Sequence, residues 1–139
     1  MKYLLIIHGK LNNLNDYIKK INRNRFEGNS LKQENEARIL QEIYSQFGKL
    51  RITRPVRMQY AWYEPNRRRD FDNISSFGRK VIQDALVKAK VLQDDGWGYI
   101  KGFSDEFYVD SKNPRIEVLI IEEEQDNAKQ NNKRVNTNK

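Results

Sequence analysis

Three consecutive arginines, Arg67, Arg68 and Arg69, run into Asp70-Phe71-Asp72-Asn73, and a second acidic pair, Asp94-Asp95, follows one helix length later. Cations crowded against carboxylates suit a chain that grips a phosphate backbone with arginine and a divalent metal with aspartate. In extended chain, residues i and i+2 share a face, so the carboxylates of Asp70 and Asp72 can converge. Three carboxylates within about 6 Å of one another repel by roughly 2–3 kcal/mol per pair at an effective dielectric near 20. A proton or a cation must offset that repulsion. Oxygen-only ligation of this kind suits Mg²⁺, which keeps several waters and shares a substrate phosphate. Such an ion polarises a phosphodiester and activates water for in-line attack, which is nuclease chemistry.

The same residues have a plain structural reading. Asp72 or Asn73 can cap a following helix, and Asp94-Asp95-Gly96 can form a turn. Helical side chains lean toward the N-terminus, so Arg79 or Lys80 is expected to reach back over Ser76 toward Asp72 and neutralise a phosphorane-like transition state. Lys101 is a further, less central cation for backbone phosphate. The single histidine, His8, ends an apolar run and reads as structural. Trp97, Tyr99 and Phe103 are read first as core or subunit-interface residues and second as platforms for exposed bases. Glu122-Glu123-Glu124 reads as a strand end giving way to solvent.

Elements that would position these residues can be laid out from periodicity. Lys2 to His8 is a short β-favouring run, ended by Gly9. Leu14, Tyr17, Ile18 and Ile21 have helical spacing, which predicts a helix over about 13–22. Residues 22–29 read as a polar loop, and Ser30 with Gln33 as the capping box of a second helix. Its expected buried stripe is Ala37, Leu40, Ile43, Tyr44 and Phe47, with Gly48 as terminator. Val56, Met58, Tyr60 and Trp62 alternate with more polar partners, as a strand with one wet face does. Pro55 marks a strand edge or a late start. A third helix is expected over 73–90, with Ile74, Phe77, Val81, Ala85 and Ala89 on its stripe and Gly78 hinting at close packing. Residues 99–110 and 115–121 read as a hairpin turning through Ser111-Lys112-Asn113-Pro114. If that hairpin lies beside the strand ending at Tyr63, its leading residues bring Asp94-Asp95 to the rim that carries Asp70 and Asp72. The expectation is an α+β domain of order β-α-α-β-α-β-β, with helices on a mixed or antiparallel sheet.

Composition narrows the possible functions. At 139 residues the chain suits one domain, over residues 1–124, followed by a basic tail over 125–139 that is too poor in apolar residues to fold alone. The net charge is +7; Lys129, Lys133, Arg134 and Lys139 against Asp126 give the tail +3 and leave +4 for the rest. A basic balance favours a polyanionic partner. With no cysteine there is no thiolate metal site and no cysteine nucleophile, which fits a cytoplasmic setting. The apolar run from Tyr3 to Ile7 is too short for a secretion signal, and nothing approaches a membrane span.

The Arg-Arg-Arg-Asp70-Phe71-Asp72-Asn73 element, a helix ending in Asp84-Ala85-Leu86-Val87-Lys88-Ala89, and Asp94-Asp95 together resemble the RusA family of Holliday-junction resolvases, particularly its phage and prophage members. The resemblance spans about residues 66–120. It implies a Mg²⁺-dependent (or Mn²⁺-dependent) endonuclease that cuts four-way DNA junctions by paired symmetric nicks as a homodimer in the cytoplasm of a bacterial or phage-infected cell. Asp70, Asp72 and Asp95 would hold the metal, with Asp94 auxiliary. Arg67, Arg68, Arg69, Arg79 and Lys101 would contact DNA. The family often carries a lysine one turn after its Asp-x-Asp; Ser76 stands there, and Lys80, one turn on, is the substitute. Alternatives are a non-catalytic binder of branched DNA and a nuclease for flaps or single strands.

Overall fold

Strict alternation from Val56 to Glu64 puts Val56, Met58, Tyr60, Trp62 and Glu64 on one face, and all five are buried. That strand is the spine of the molecule. The computed structural model describes residues 1–124, so the expected tail over 125–139 lies outside the described residues. The elements are β1 (Lys2–His8), α1 (Leu14–Arg23), α2 (Arg25–Phe47), β2 (Val56–Glu64), α3 (Phe71–Lys88), β3 (Ile100–Val109) and β4 (Arg115–Glu122). Their order is the expected one, and they form a single α+β domain with a four-stranded mixed sheet. Leu5 and Ile7 of β1 and Ile116, Val118 and Ile120 of β4 join β2 in the core, under Ile39 and Ile43 of α2 and the apolar stripe of α3. No helix among the described residues is long and apolar enough to cross a membrane.

Sheet order is β1-β4-β2-β3, which overturns the hairpin expected over 99–121. β3 runs parallel to β2, whereas β4 is antiparallel to both β1 and β2. The physical cause is α3. An 18-residue helix carries the chain back to the start of β2, so the next strand must run in the same direction, as in any crossover unit. The turn chemistry after β3 is present: Asp110 accepts from the N–H groups of Lys112 and Asn113 at 3.2 and 3.1 Å. That turn steps across the end of β2, about two strand spacings of roughly 4.8 Å each, and delivers β4 to the far side. Pro55 directly precedes β2, consistent with a late strand start on a central strand.

The loop expected over 22–29 reduces to Asn24. It caps the start of α2, accepting from the Glu27 N–H at 2.8 Å. Gly28 looks like a chain breaker but serves close helix packing, since a Cβ there would lie 2.1 Å from Cδ1 of Ile21 on α1. The buried stripe of α2 is Gly28, Asn35, Ile39 and Ile43, so Ala37 and Tyr44 face solvent, contrary to expectation. Buried Asn35 donates to Leu31 O and Asn12 Oδ1 and accepts from the Asn12 N–H, tying α2 to the segment before α1. Gly48, with φ of 59°, does terminate α2. The stripe expected for α3 is buried throughout.

Candidate functional site

α3 starts where β2 and its exit loop hand over the chain, and Asp70 is its N-cap. Its carboxylate accepts from the Asn73 N–H at 3.0 Å and from Asn73 Nδ2 at 3.1 Å. The cap is therefore Asp70, and not Asp72 or Asn73 as the plain structural reading had it. Asp72 lies exposed in the first helical turn, so only Asp70 is in extended backbone. The two carboxylates are neighbours at a helix N-terminus. Ser75 and Ser76 donate back to the carbonyls of Phe71 and Asp72, at 2.9 and 2.6 Å, which leaves their hydroxyls turned along the helix.

The arginine triplet divides. Arg69 lies against Glu64, Nε and NH2 each 2.8 Å from a carboxylate oxygen, and its NH1 donates to the Leu11 carbonyl at 2.9 Å. The Arg69 and Glu64 side chains are only 13% and 8% exposed. Arg69, expected on DNA, is thus part of the frame that holds the loop between β2 and α3. Arg67 and Arg68 are exposed on that loop. Beside them Phe71 stacks on Phe107 of β3, centroids 4.0 Å apart.

Asp94 and Asp95 do not reach this rim. Because β3 is parallel to β2, its leading residue Ile100 pairs with Val56, at the opposite end from Glu64 and the Asp70 loop. Asp94 accepts from the Asp95 N–H at 2.8 Å and shapes the loop, as a turn residue does. Asp95 meets Lys80, Oδ2 to Nζ 3.3 Å. Lys80 also binds Asp84 at 3.2 Å, and Asp84 in turn meets Lys32 of α2 at 3.0 Å. Lys80 is two helical turns past Asp72, about 12 Å along the axis at the usual rise. It points to Asp84 and Asp95, contrary to the expected reach toward Asp72. Hydrogen bonds from Lys80 to Asp84 and then Asp95 outweigh its partial desolvation and raise its pKa, so it stays charged. Asp72, Ser76, Lys80 and Asp84 still form one i, i+4 row, so Asp72 and Asp95 mark two ends of one line along the helix.

Arg79 also departs from the expected reach. It binds Asp105 of β3 and lies over the Phe103 ring, 4.4 Å from its centroid. Asp105 is additionally held by Trp62 Nε1 at 2.9 Å. Sequence reasoning missed Asp105. The available signal was an acid at the middle of Phe103-x-Asp105-x-Phe107, where the pleat turns all three toward the helix. Lys101 is exposed at the start of β3, near Trp97 and Phe103. Trp97 is 95% exposed, so it is no core residue. His8 is largely exposed and contacts Glu42, Nδ1 to Oε2 2.7 Å. Glu122 and Glu123 are not simply solvated: they take Tyr3, Arg54 and Arg57 as partners.

Among the described residues no three metal-ligating side chains gather into one cluster. Two exposed carboxylates, Asp70 and Asp72, stand at this junction, and both oxygens of Asp70 already accept from Asn73. No protein-family model matches the chain, and no curated protein matches it.

Proposed function

We propose that the protein is a Mg²⁺-dependent endonuclease of branched DNA, acting on four-way junctions as a homodimer. One observation carries the reading: exposed Arg67 and Arg68 and the exposed pair Asp70 and Asp72 share one loop-to-helix junction, which a buried Arg69–Glu64 pair holds in place. Arg67 and Arg68 take backbone phosphates on either side of a scissile bond. Asp70 and Asp72 hold the metal, which when bound supplies a Lewis acid for the phosphoryl oxygen. Lys80 fixes Asp95 at the far end of the same helix row and adds positive charge beside the track of the backbone. A two-fold dimer suits a junction with approximate two-fold symmetry, since it presents two identical sites across one axis.

Non-catalytic binding of branched DNA is favoured by one different observation: Asp70 caps α3 and Asp95 is neutralised by Lys80, so each has a structural partner. Incubating the protein with Mg²⁺ and a labelled four-way junction, beside a linear duplex of the same sequence, separates the readings. Paired symmetric nicks confined to the junction support the nuclease. Junction binding without cutting, under both Mg²⁺ and Mn²⁺, supports the binder.

A further inference from the structure

Trp97 is one of two tryptophans, the largest side chains in the molecule, and it stands 95% exposed while the other, Trp62, is 1% exposed. A ring of this size buries 150–250 Å² wherever a fold can use it, so its display on the surface asks for a ligand. Trp97 is not on a loose end. The N–H groups of Tyr99 and Ile100 both donate to the Gly96 carbonyl at 3.0 Å, and Asp94 holds the Asp95 N–H, so a tight turn presents the ring at its tip. Across a shallow pocket from it lies Phe103, 53% exposed, with its ring backed by the Arg79 guanidinium. Gln83, Lys101 and Asp95, the last paired with Lys80, complete the polar lining. Lys80 and Arg79 are taken up by Asp95 and Asp105, which leaves Lys101 as the cation of this pocket without a carboxylate among the described residues.

We infer that Trp97 and Phe103 form a binding site for an unpaired nucleobase. The inference rests on the reading of the protein as one that acts on branched DNA. Two aromatic faces, an amide for a base edge and a lysine for the adjoining phosphate match a nucleotide. An apolar peptide or helix would gain little from the lysine, the amide and the neighbouring Asp95. Stacking on an aromatic ring takes any base, so the site reads strand opening and not sequence. At a branch point it holds a base out of the stack, one loop residue from Gly96 and two from Asp95.

Trp97 provides its own probe. A single-stranded thymidine oligonucleotide is titrated into the full chain, following tryptophan fluorescence and, separately, anisotropy of the labelled DNA. Wild type, Trp97→Ala, Trp97→Phe and Lys101→Ala are compared, with thermal melts to confirm equal folding. The expected result is quenching in wild type, about tenfold weaker binding in Trp97→Ala, near-wild-type binding in Trp97→Phe, and a reduced salt dependence in Lys101→Ala. DNA bound equally by wild type and Trp97→Ala, with unchanged fluorescence, overturns the nucleobase site and leaves the nuclease reading standing. Loss of a dimer in Trp97→Ala, with DNA binding intact, overturns it in favour of a subunit contact. Failure of all four proteins to bind either this oligonucleotide or a four-way junction overturns the DNA reading and this site with it.

Discussion

Arg69 lays both arms of its guanidinium on Glu64 at 2.8 Å, in a pocket where both side chains are nearly buried. The pair joins the end of β2 to the residue before the α3 cap, and the third contact, to Leu11 O, ties in the segment before α1. It makes the Asp70 junction rigid.

Removing one member of a buried pair strands the other charge. Arg69→Ala is expected to destabilise the fold by about 3–5 kcal/mol, whereas Arg67→Ala and Arg68→Ala stay within about 0.5 kcal/mol of wild type. In DNA binding the pattern inverts for the soluble variants: each of Arg67→Ala and Arg68→Ala lowers the salt slope by about one. Urea unfolding and salt-dependent anisotropy check the two halves. A fully stable Arg69→Ala with weakened, less salt-dependent binding would return Arg69 to the DNA surface.

Gly78 sets the distance between α3 and the sheet. A Cβ there would meet Cη2 and Cζ3 of Trp62 at 2.8 Å, and Trp62 is fixed by stacking on Tyr60 and by its bond to Asp105. Gly78→Ala normally gains helix propensity of about 1 kcal/mol. Here overpacking is expected to win, with a net loss of about 1–3 kcal/mol, read as a lower midpoint in urea and a changed near-ultraviolet circular dichroism.

Lys80 is 61% exposed, so its pairs with Asp84 and Asp95 contribute little to stability, less than about 1 kcal/mol. Lys80→Ala should leave the melting temperature almost unchanged. Under the nuclease reading it weakens junction binding and lowers the salt slope by about one, because a backbone cation two helical turns from the reacting phosphate is lost. Equal junction binding and equal salt slope in wild type and Lys80→Ala would show that the lysine serves only the loop.

Burial pushes the Tyr60 phenol far above its ordinary value of 10.0, against a smaller opposing effect of the Gln83 hydrogen bond. A raised pKa means that the folded state holds the proton which the unfolded chain releases. Stability is therefore unaffected below pH 10 and falls as pH rises above it, by up to about 1.4 kcal/mol per pH unit. Tyr60→Phe should flatten that alkaline decline, measured by urea midpoints between pH 9 and 12. Lys80 and Tyr3 are shifted upward too, so a residual slope is expected.

Local pattern made the fold class and element order legible, because alternation in Val56–Glu64 and the stripe from Ile74 to Leu86 each answer to a single period. Side-by-side placement was not legible. A turn signature such as Asp110-Ser111-Lys112-Asn113-Pro114 says that the chain reverses and nothing about how many strands it steps over. That one unknown carried Asp94-Asp95 to the far end of the sheet. Gly28 misled for a similar reason: without the partner Ile21 in view, a packing glycine looks like a breaker. For the site, Arg67 and Arg68 are exposed, while Asp105 as partner of Arg79 and Asp95 as partner of Lys80 are long-range carboxylates that spacing does not reveal; Glu64 for Arg69 and Asp84 for Lys80 are near in sequence.

The account stands most directly on the carboxylates at the start of α3. A labelled four-way junction is incubated under single-turnover conditions with Mg²⁺ and wild type, Asp72→Asn or Asp95→Asn, and junction binding is measured in parallel with Ca²⁺. The account predicts symmetric nicks by wild type only in the presence of metal, loss of cutting by at least about a hundredfold in Asp72→Asn, and unchanged or tighter junction binding by that variant. Equal cutting by wild type and Asp72→Asn, or binding without any metal-dependent cutting by wild type, would contradict it.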